Sequence, residues 1–372
     1  MASASTPDQV ASPRSDIDLL HDLVAIESLS RAEHDAVAFL QAEMRARGFE
    51  VTEDAAGNAI GSVGAGPVHI MLLGHIDTVP GRIPVRIEDG VLHGRGAVDA
   101  KGPLATFVAA ATAAAPDLKA KVTVIGAVGE EAIGSIGANA ISTWPAPDFC
   151  IIGEPSSWDT ICLGYRGSVS LLVTFRSDMR HSAGPGETVA EEAVTFWNAL
   201  RAHLDEINAD AANSFNSVGH ALRVFTTKSD GLTDEAHLSI GLRLPPELDV
   251  EALLDRVRYL AGEAEVSVEG IQFGYRTGKG SKLTPPFLRS IRAESGTPRF
   301  TVKLGTSDMN VVGPVWNCPI VAYGPGDSSL DHTPDERIDL DEYGRAIRVL
   351  TNVLLAFGSG SADQSAGATA DG

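Results

Sequence analysis

The sequence predicts an α/β protein in which helices cover a sheet, with a second, smaller unit inserted into the chain. Up to residue 165, apolar strand-like runs alternate with amphipathic helical segments, as in a layered α/β domain. From residue 168 the order changes to βαββαβ, a unit that folds as a sheet with two helices on one face. A chain of 372 residues is also too long for most single cores, so two domains are expected.

Two helices are predicted from capping boxes, in which a Ser or Asp side chain and a Glu three residues later each bind a main-chain amide. The first box is Ser30 with Glu33, before an amphipathic helix that stops at Gly48. The second is Asp339 with Glu342, before the last helix of the chain.

Pattern and composition predict the remaining elements. In the first domain, helices are expected over residues 16–26 and 101–115, the latter alanine-rich and therefore able to pack closely. In the insert we expect strands over 168–175, 221–227, 236–244 and 265–275, and helices over 187–208 and 250–263.

Composition is that of an ordinary soluble protein and argues against some partners. Hydrophobic residues make up 44% of the chain and charged residues 21%. The formal net charge of −20 argues against nucleic acid or an anionic membrane as partner, because both would repel the chain. We expect no membrane span and no secretory signal. Cys150, Cys162 and Cys318 lie in or beside apolar runs, which predicts reduced thiols in a cytoplasmic protein.

Histidine and acidic residues follow several of the apolar strands. In open α/β folds, ligand-binding and catalytic residues lie at this edge of the sheet, beyond the carboxyl ends of the strands. The run over residues 68–73 reads as a strand buried on both faces, and it leads to His75 and Asp77. The other such residues are Glu130 and Glu131 after 121–128, Glu154 after 149–153, Asp331 and His332 after 319–324, and Asp99 in a Gly-containing run over 94–102. Together these positions predict a metal site.

The residue types suit a particular reaction. Hydrolysing an amide at neutral pH needs a stronger nucleophile than water and help for the developing oxyanion. Two divalent ions ~3.5–4 Å apart supply both. Such a site uses two histidines, a bridging carboxylate, terminal carboxylates and a free carboxylate as base. The chain offers His75, His332, Asp99, Glu131, Glu154 and Glu130.

Six runs resemble, in order, the motifs of the M20 family of co-catalytic zinc amidohydrolases. These runs are residues 74–80, 94–102, 129–131, 153–155, 305–308 and 331–335. The resemblance implies a zinc-peptidase-like catalytic domain with an inserted ferredoxin-like lid and dimerisation domain. The predicted boundaries are a disordered N-terminus over 1–14, the catalytic domain over 15–164 and 278–357, the insert over 165–277 and a disordered tail over 358–372.

The same resemblance assigns roles at the metal site. It makes Asp99 the bridge, His75 and Glu154 the remaining ligands of one ion, and Glu131 and His332 those of the other. Zn²⁺ is the expected metal, with Co²⁺ as an alternative. Glu130 would carry the proton from water to the leaving amine, and Asp77 would bind the far nitrogen of His75. The peptide between Asp99 and Ala100 is expected to be cis.

The resemblance also implies residues that contact the substrate. His181, in a turn of the insert, would reach the partner's active site in a homodimer and stabilise the oxyanion. Arg243 would bind a substrate carboxylate, a task that suits its fork of donors. Thr306 and Ser307 would be polar contacts in a substrate loop.

Within the family, the chain resembles the branch that frees lysine or ornithine from an acidic amino-group carrier protein. The runs that carry this likeness are residues 99–104, 164–167, 180–185 and 323–328. A basic segment between residues 272 and 303 could guide the acidic tail of the carrier in spite of the net negative charge. Its cations, against the single acid Glu294, are Arg276, Lys279, Lys282, Arg289, Arg292, Arg299 and Lys303.

Two other readings stay open. One is another activity of the same family, on acetylornithine, succinyl-diaminopimelate or a dipeptide, because these enzymes share the metal site. The other is a metal-binding homologue without turnover. The presence of Glu130 disfavours the second reading, because metal binding alone does not need a base.

Overall fold

The computed structural model describes residues 14–181 and 185–357. The tail predicted over 358–372 lies outside the described residues, and so does the N-terminus predicted over 1–14 except for Arg14. Contacts divide the chain into two compact units. The first unit comprises, of the described residues, 14–162, 278–301 and 316–357, and the second comprises 163–181, 185–277 and 302–315.

The helices are α1 (Asp16–Ala25), α2 (His34–Ala46), α3 (Lys101–Ala114), α4 (Ile136–Ser142), α5 (Val189–Ile207), α6 (Val250–Ala261), α7 (Thr284–Ala293), α8 (Met309–Trp316) and α9 (Leu340–Leu355). Six of these helices begin and end close to where the pattern places them, whereas α4, α7 and α8 were not predicted.

The strands in the first half of the chain are β1 (Glu50–Glu53), β2 (Ala59–Val63), β3 (His69–His75), β4 (Arg86–Glu88), β5 (Val91–His93), β6 (Lys121–Ala127), β7 (Phe149–Gly153) and β8 (Thr160–Tyr165). Those in the second half are β9 (Gly167–Asp178), β10 (Gly219–Ser229), β11 (Thr233–Leu244), β12 (Glu265–Gln272), β13 (Tyr275–Arg276), β14 (Arg299–Lys303), β15 (Ile320–Ala322) and β16 (Arg337–Asp339).

Four adjacent parallel strands, in the order β6-β3-β7-β15, form the centre of the first unit. β2 and β1 extend the sheet beyond β6 with antiparallel pairing. Nearly every residue of β3, β6 and β7 is buried, as expected for parallel strands covered on both faces. Helix α3 lies against β3 and also packs on α1 and α9. Because the central strands are parallel, their carboxyl ends meet at one edge.

The second unit is an antiparallel sheet in the order β10-β11-β9-β12, with α5 and α6 packed on it. Buried and more exposed residues alternate along β9, so one face of the sheet enters the core. Val169 and Leu171 of β9 join Phe196 of α5 and Leu254 of α6 in that core. The βαββαβ order and the ferredoxin-like arrangement are therefore confirmed.

The two compact units differ from the predicted domain boundaries at residues 163–164 and in one longer segment. Residues 302–315, which we expected in the catalytic domain, group with the second unit. The side chain of Asn310 explains this, because its Nδ2 donates to the carbonyl oxygens of Arg166 at 3.1 Å and Phe273 at 2.7 Å.

Both predicted capping boxes are wrong in part. Glu33 precedes α2, but no side chain caps that helix. Asp339 does cap α9, through the amides of Asp341 and Glu342, whereas the Glu342 carboxylate accepts from the amides of Trp158 and Gly326 instead. In both boxes the glutamate carboxylate accepts from main-chain amides distant in the sequence, that of Gly129 for Glu33 and those of Trp158 and Gly326 for Glu342. Among the described residues, no helix has the length and apolar character needed to span a bilayer.

Candidate metal centre

The residues expected at the metal site come together at the carboxyl edge of the parallel strands, within the first unit. His75 is the last residue of β3. Glu130 and Glu131 follow β6, and Glu154 directly follows β7. His332 lies in the loop between β15 and β16. The buried strands β3, β6 and β7 thus place His75, the tandem glutamates and Glu154, whereas a longer loop carries His332.

Asp99 stands between the two histidines. Its Oδ1 lies 3.1 Å from Nε2 of His75, and its Oδ2 lies 3.0 Å from Nε2 of His332. One carboxylate therefore presents one oxygen to each imidazole, which is the arrangement a bridging ligand needs. The peptide between Asp99 and Ala100 is cis, as expected.

The other two carboxylates divide between the histidines. Oε1 of Glu131 lies 3.0 Å from Nε2 of His332, and Oε1 of Glu154 lies 3.9 Å from Nε2 of His75. Ligand atoms of His75, Asp99 and Glu131 also lie within 4.8 Å of one another. The side chain of His75 is 1% exposed and that of His332 is 51% exposed, so the cluster opens towards solvent on the His332 side.

Several carboxylates lie close together in the cluster and shift the pKa values of its groups. Burial and the charge of Asp99 raise the pKa of Glu154 well above its usual value. Burial alone lowers the pKa of His75, but hydrogen bonds with Asp77 and Asp99 outweigh it and raise that pKa well above the usual value. Hydrogen bonds with Asp99 and Glu131 raise the pKa of His332 to about 10. The carboxylates thus favour positive charge in the site.

This donor set fits divalent cations. Among the described residues, no Lys or Arg forms an ion pair with Asp99, Glu131 or Glu154, so the cluster holds excess negative charge. Imidazole nitrogen and carboxylate oxygen are the ligands that Zn²⁺ takes in catalytic sites. The residues present therefore suit the two ions that the sequence predicts.

Asp77 is buried beside the cluster and approaches Nδ1 of His75, the nitrogen expected for it, through both its main chain and its side chain. The nearest acceptor to Nδ1 of His75 is the main-chain carbonyl oxygen of Asp77 at 3.0 Å, and Oδ1 lies at 3.5 Å. The carboxylate also accepts from the amides of Glu130 and Glu131, each at 3.1 Å. Asp77 therefore orients His75 and also holds the main chain of the tandem glutamates.

Two residues that the pattern predicts as a helix cap, Ser30 and Glu33, instead position the loop beside the metal cluster. Oγ of Ser30 donates to Oδ2 of Asp77 at 2.7 Å. Oε1 of Glu33 accepts from the amide of Gly129 at 3.0 Å, directly before the tandem glutamates. Both residues hold the loop that carries Glu130 and Glu131, and their spacing gave only a local signal.

We expect Ser30→Ala to weaken metal binding by about 10–100-fold, because it removes a hydrogen bond that orients a residue behind the ligands. Titration of the protein against a chromophoric chelator measures this. Ser62→Ala, which removes a contact with Thr123 within the sheet, is the matched control. Equal metal affinity in both variants would contradict the positioning role of Ser30.

Glu336, which the sequence pattern did not identify, positions the main chain at Asp99. Its Oε1 accepts from the amides of Val98 at 3.0 Å and Asp99 at 3.1 Å. Its Oε2 accepts from Nη1 of Arg95 at 2.7 Å. Glu336 is 1% exposed, so these bonds lie away from solvent and hold the main chain that presents the Asp99 carboxylate.

The predicted substrate residues lie in the second unit. Nη1 of Arg243 donates to Oγ1 of Thr306 at 3.5 Å, so these two residues are neighbours. Ser307 is fully buried, and its Oγ accepts from the amide of Met309 at 3.2 Å. His181 is exposed and is the last described residue before the gap at 182–184.

Comparison with known proteins gives one family. The model of peptidase family M20/M25/M40 matches residues 71–356. A Deinococcus radiodurans protein named LysW-lysine hydrolase is 44% identical, over 95% of this chain and 99% of its own. A Thermococcus kodakarensis protein, provisionally named a LysW-lysine/LysW-ornithine hydrolase, is 38% identical, over 91% of each chain.

Solved structures share the fold at low identity. A family M20 metallo-carboxypeptidase from Sulfolobus solfataricus has a TM-score of 0.75 and 18% identity, over 92% of this chain and 99% of that one. A dinuclear metal-binding M20 peptidase from Bacillus subtilis has a TM-score of 0.69 and 13% identity, over 92% of this chain and 97% of that one. These likenesses agree with the layered α/β unit and the separate antiparallel sheet.

Proposed function

Because the chain belongs to peptidase family M20/M25/M40, we propose that it is a di-metal amide hydrolase that releases L-lysine from an amino-group carrier protein. The bond cut would join the α-amino group of lysine to a glutamate γ-carboxyl of the carrier. We extend the proposal to L-ornithine as a second product, in cytoplasmic lysine and arginine biosynthesis. The observation that carries the hydrolytic part is Asp99, whose two oxygens face His75 and His332. The carrier-linked substrate is supported by the names of the relatives.

The proposed centre uses five ligands. Asp99 would bridge two cations, with His75 and Glu154 on one side and Glu131 and His332 on the other. Two divalent ions held there would polarise the amide carbonyl and lower the pKa of water. Zn²⁺ is proposed, and Co²⁺ could replace it in such a mixed nitrogen and oxygen site.

Glu130 is the proposed general base. Its amide donates to Asp77, as does that of Glu131, so one buried carboxylate sets the positions of both main-chain groups. Of two adjacent carboxylates, one can bind metal while its neighbour carries protons. Glu130 would take the proton from the attacking water and deliver it to the nitrogen of the leaving lysine.

The second unit is proposed to act as a lid and dimerisation domain. His181 would stabilise the oxyanion from the partner of a homodimer, and its exposed side chain is compatible with that role. Arg243 and Thr306, which are neighbours, would bind the carboxylate of the released amino acid. Ser307 would shape the loop that presents Thr306, because its buried hydroxyl accepts from the amide of Met309 and its own amide donates to Oδ1 of Asn310 at 2.8 Å.

A substrate panel tests the proposed function. Purified protein loaded with Zn²⁺ is assayed on carrier-bound lysine, carrier-bound ornithine, acetyl-lysine, acetylornithine, succinyl-diaminopimelate and a dipeptide. We expect the highest kcat/KM on carrier-bound lysine. A preference for acetylornithine, succinyl-diaminopimelate or the dipeptide would assign one of the other family activities. No turnover on any amide would favour a metal-binding homologue.

The basic segment is proposed to attract the acidic tail of the carrier. Lys279, Lys282, Arg289 and Arg292 are exposed to solvent. Arg299, by contrast, is paired with Asp159 at 2.7 Å. Within the part of the chain that the structure describes, none of these four cations forms an ion pair. Exposed cations of this kind raise the local concentration of an anionic partner, and salt screens this effect.

We expect Lys279→Glu combined with Lys282→Glu to lower kcat/KM on carrier-bound lysine by about tenfold at low salt, because attraction becomes repulsion. Turnover of acetyl-lysine should not change. The control is Lys119→Glu combined with Lys121→Glu, which changes the net charge equally at exposed sites. If both double variants reduce kcat/KM alike, or neither does, then the segment has no guiding role.

A further inference from the structure

Several arginines lie on one face of the sheet in the second unit, the face opposite its buried core. Arg243 of β11 pairs with Gly219 of β10 and Ser168 of β9. Two residues earlier on β11, Gly241 pairs with Ser170 of β9. The residues that alternate with these on β9 and β11 belong to the buried core, so Arg243, Gly241 and both serines lie on the outer face. The small residues beside Arg243 leave space for a ligand above the strands.

The side chain of Arg223 extends over this outer face from a bulge in β10. Its Nη1 donates to Oγ of Ser170 at 3.4 Å, which uses one of the five N–H donors of a guanidinium. A methyl group added at Gly241 would lie 2.5 Å from Nη2 of Arg223, so the guanidinium lies directly over that glycine. Arg223 is exposed, and no acid of the described chain forms an ion pair with it. Its positive charge is therefore accessible to an anion.

A second guanidinium lies near that of Arg223, and a third adds its charge. Gly241 and Arg243 are two residues apart on one strand, so their Cα atoms lie about 7 Å apart. A methyl group added at Gly219 would lie 3.3 Å from Cβ of Arg243 and 3.3 Å from Nη1 of Arg166. Burial and the charge of Arg243 lower the pKa of Arg166, so these two cations lie within electrostatic reach of each other.

Acidic residues of the outer face lie at its other end. Glu235 of β11 forms ion pairs with Arg176 and Lys228. Glu265 of β12 forms a further ion pair with Arg176. Glu235 is eight positions before Arg243 on the same strand, which is about 27 Å along it. These acids therefore neutralise the cations of their own end, and the end near Arg243 is basic.

We infer that Arg223 binds a carboxylate on the acyl side of the substrate, while Arg243 binds the carboxylate of the amino acid to be released. This inference rests on the proposed function. The ligand class is an Nα-acyl amino acid whose acyl chain carries a second carboxylate, as a γ-glutamyl group does. Its two carboxylate carbons lie about 8 Å apart along an extended chain, which suits two arginines about 7 Å apart on one face. An acetyl group has no second carboxylate, so Arg223 would make the chain select γ-glutamyl over acetyl substrates.

The test uses two probes, Nα-glutaryl-lysine, which has the second carboxylate, and its terminal amide, which has the same shape without the charge. We expect kcat/KM of the Zn²⁺-loaded full chain to be about 10–100-fold higher on the carboxylate, the range of one charge-assisted hydrogen-bonded pair. Arg223→Gln should lower kcat/KM on the carboxylate to that on the amide. Arg176→Gln, which removes a cation at the other end of the same face, should keep the original ratio. The same ratio in Arg223→Gln as in the unchanged chain would refute the site.

Gly241→Ala provides a second variant, which keeps the charge of Arg223 but moves it. The added methyl group would contact only the far end of this flexible side chain, so the fold should tolerate the change while the guanidinium shifts. We expect the preference for the carboxylate to fall in this variant too. An unchanged preference would contradict the position assigned to the second carboxylate.

Binding of both probes to the chelated full chain, measured by titration calorimetry, separates this inference from the proposed function. Tighter binding of the carboxylate that is lost in Arg223→Gln would support the site, even in a chain that cleaves neither probe and so is not the proposed hydrolase. Cleavage of both probes with no dependence on Arg223 would refute the site and leave the hydrolase. A chain that neither binds nor cleaves either probe would refute both.

Discussion

Removal of divalent metal by a chelator is expected to abolish amide hydrolysis, and added Zn²⁺ or Co²⁺ to restore it. The described carboxylates and histidines supply ligands, and no described Lys or Arg forms an ion pair with Asp99, Glu131 or Glu154 that could take the place of a metal cation. Losing the activation of water and carbonyl removes several kcal/mol of transition-state stabilisation, and about 4 kcal/mol corresponds to about 10³ in rate. Turnover of acetyl-lysine before and after chelation measures this loss.

The same sample gives an independent readout of binding. Metal at about 100 times its dissociation constant should stabilise the folded state by about 2.7 kcal/mol, so the unfolding midpoint should fall on chelation and recover with Zn²⁺. Mg²⁺ serves as the control, because it prefers an octahedron of oxygen ligands. Amide cleavage at the full rate by a demetallated sample would contradict the proposed metal-dependent mechanism.

Glu130→Ala is expected to lose about 10²–10⁴ in turnover while it keeps its metal. The reason is geometric: Oε1 of Glu131 lies 3.0 Å from Nε2 of His332, and Glu130 is not one of the five proposed ligands, so the variant leaves the proposed ligand set intact. The amide of residue 130 still donates to Asp77 in the variant, so the loop should hold its place. Metal content per chain and kcat on carrier-bound lysine are the two measurements.

A matched acid provides the control for this variant. Glu251→Ala removes an exposed carboxylate at the start of α6 in the second unit and should leave both metal content and kcat unchanged. If Glu130→Ala turned over at the rate of Glu251→Ala, another group would have to carry the proton. If it lost metal instead, Glu130 would be a ligand.

Much of the candidate site could be predicted because it depends on local pattern. The run that becomes β3 is apolar throughout, which indicates a strand buried on both faces, and His75 ends it. Glu131 and Glu154 follow β6 and β7 in the same way. Once these strands are parallel neighbours, their carboxyl ends meet, and the proximity of the three side chains follows.

The supporting residues could not be predicted because their partners are distant in the chain. Ser30 and Asp77 are 47 positions apart, Glu33 and Gly129 are 96 apart, and Glu336 and Asp99 are 237 apart. A capping box is a local sequence signal, and Ser30 with Glu33 has the spacing of one although the two side chains do not form it. Only the packed chain shows that both side chains serve the loop of the tandem glutamates instead.

Most helices, the strands that lead to the site and the candidate ligands could thus be read from short stretches of the chain, because burial and periodicity act over a few residues, whereas α4, α7 and α8 were not predicted. The position of residues 302–315 in the second unit, the contacts of Asp77 and the place of Arg223 over Gly241 were decided by folding. The physical reason is that polar and charged side chains take whichever partners the packed chain places within hydrogen-bond reach.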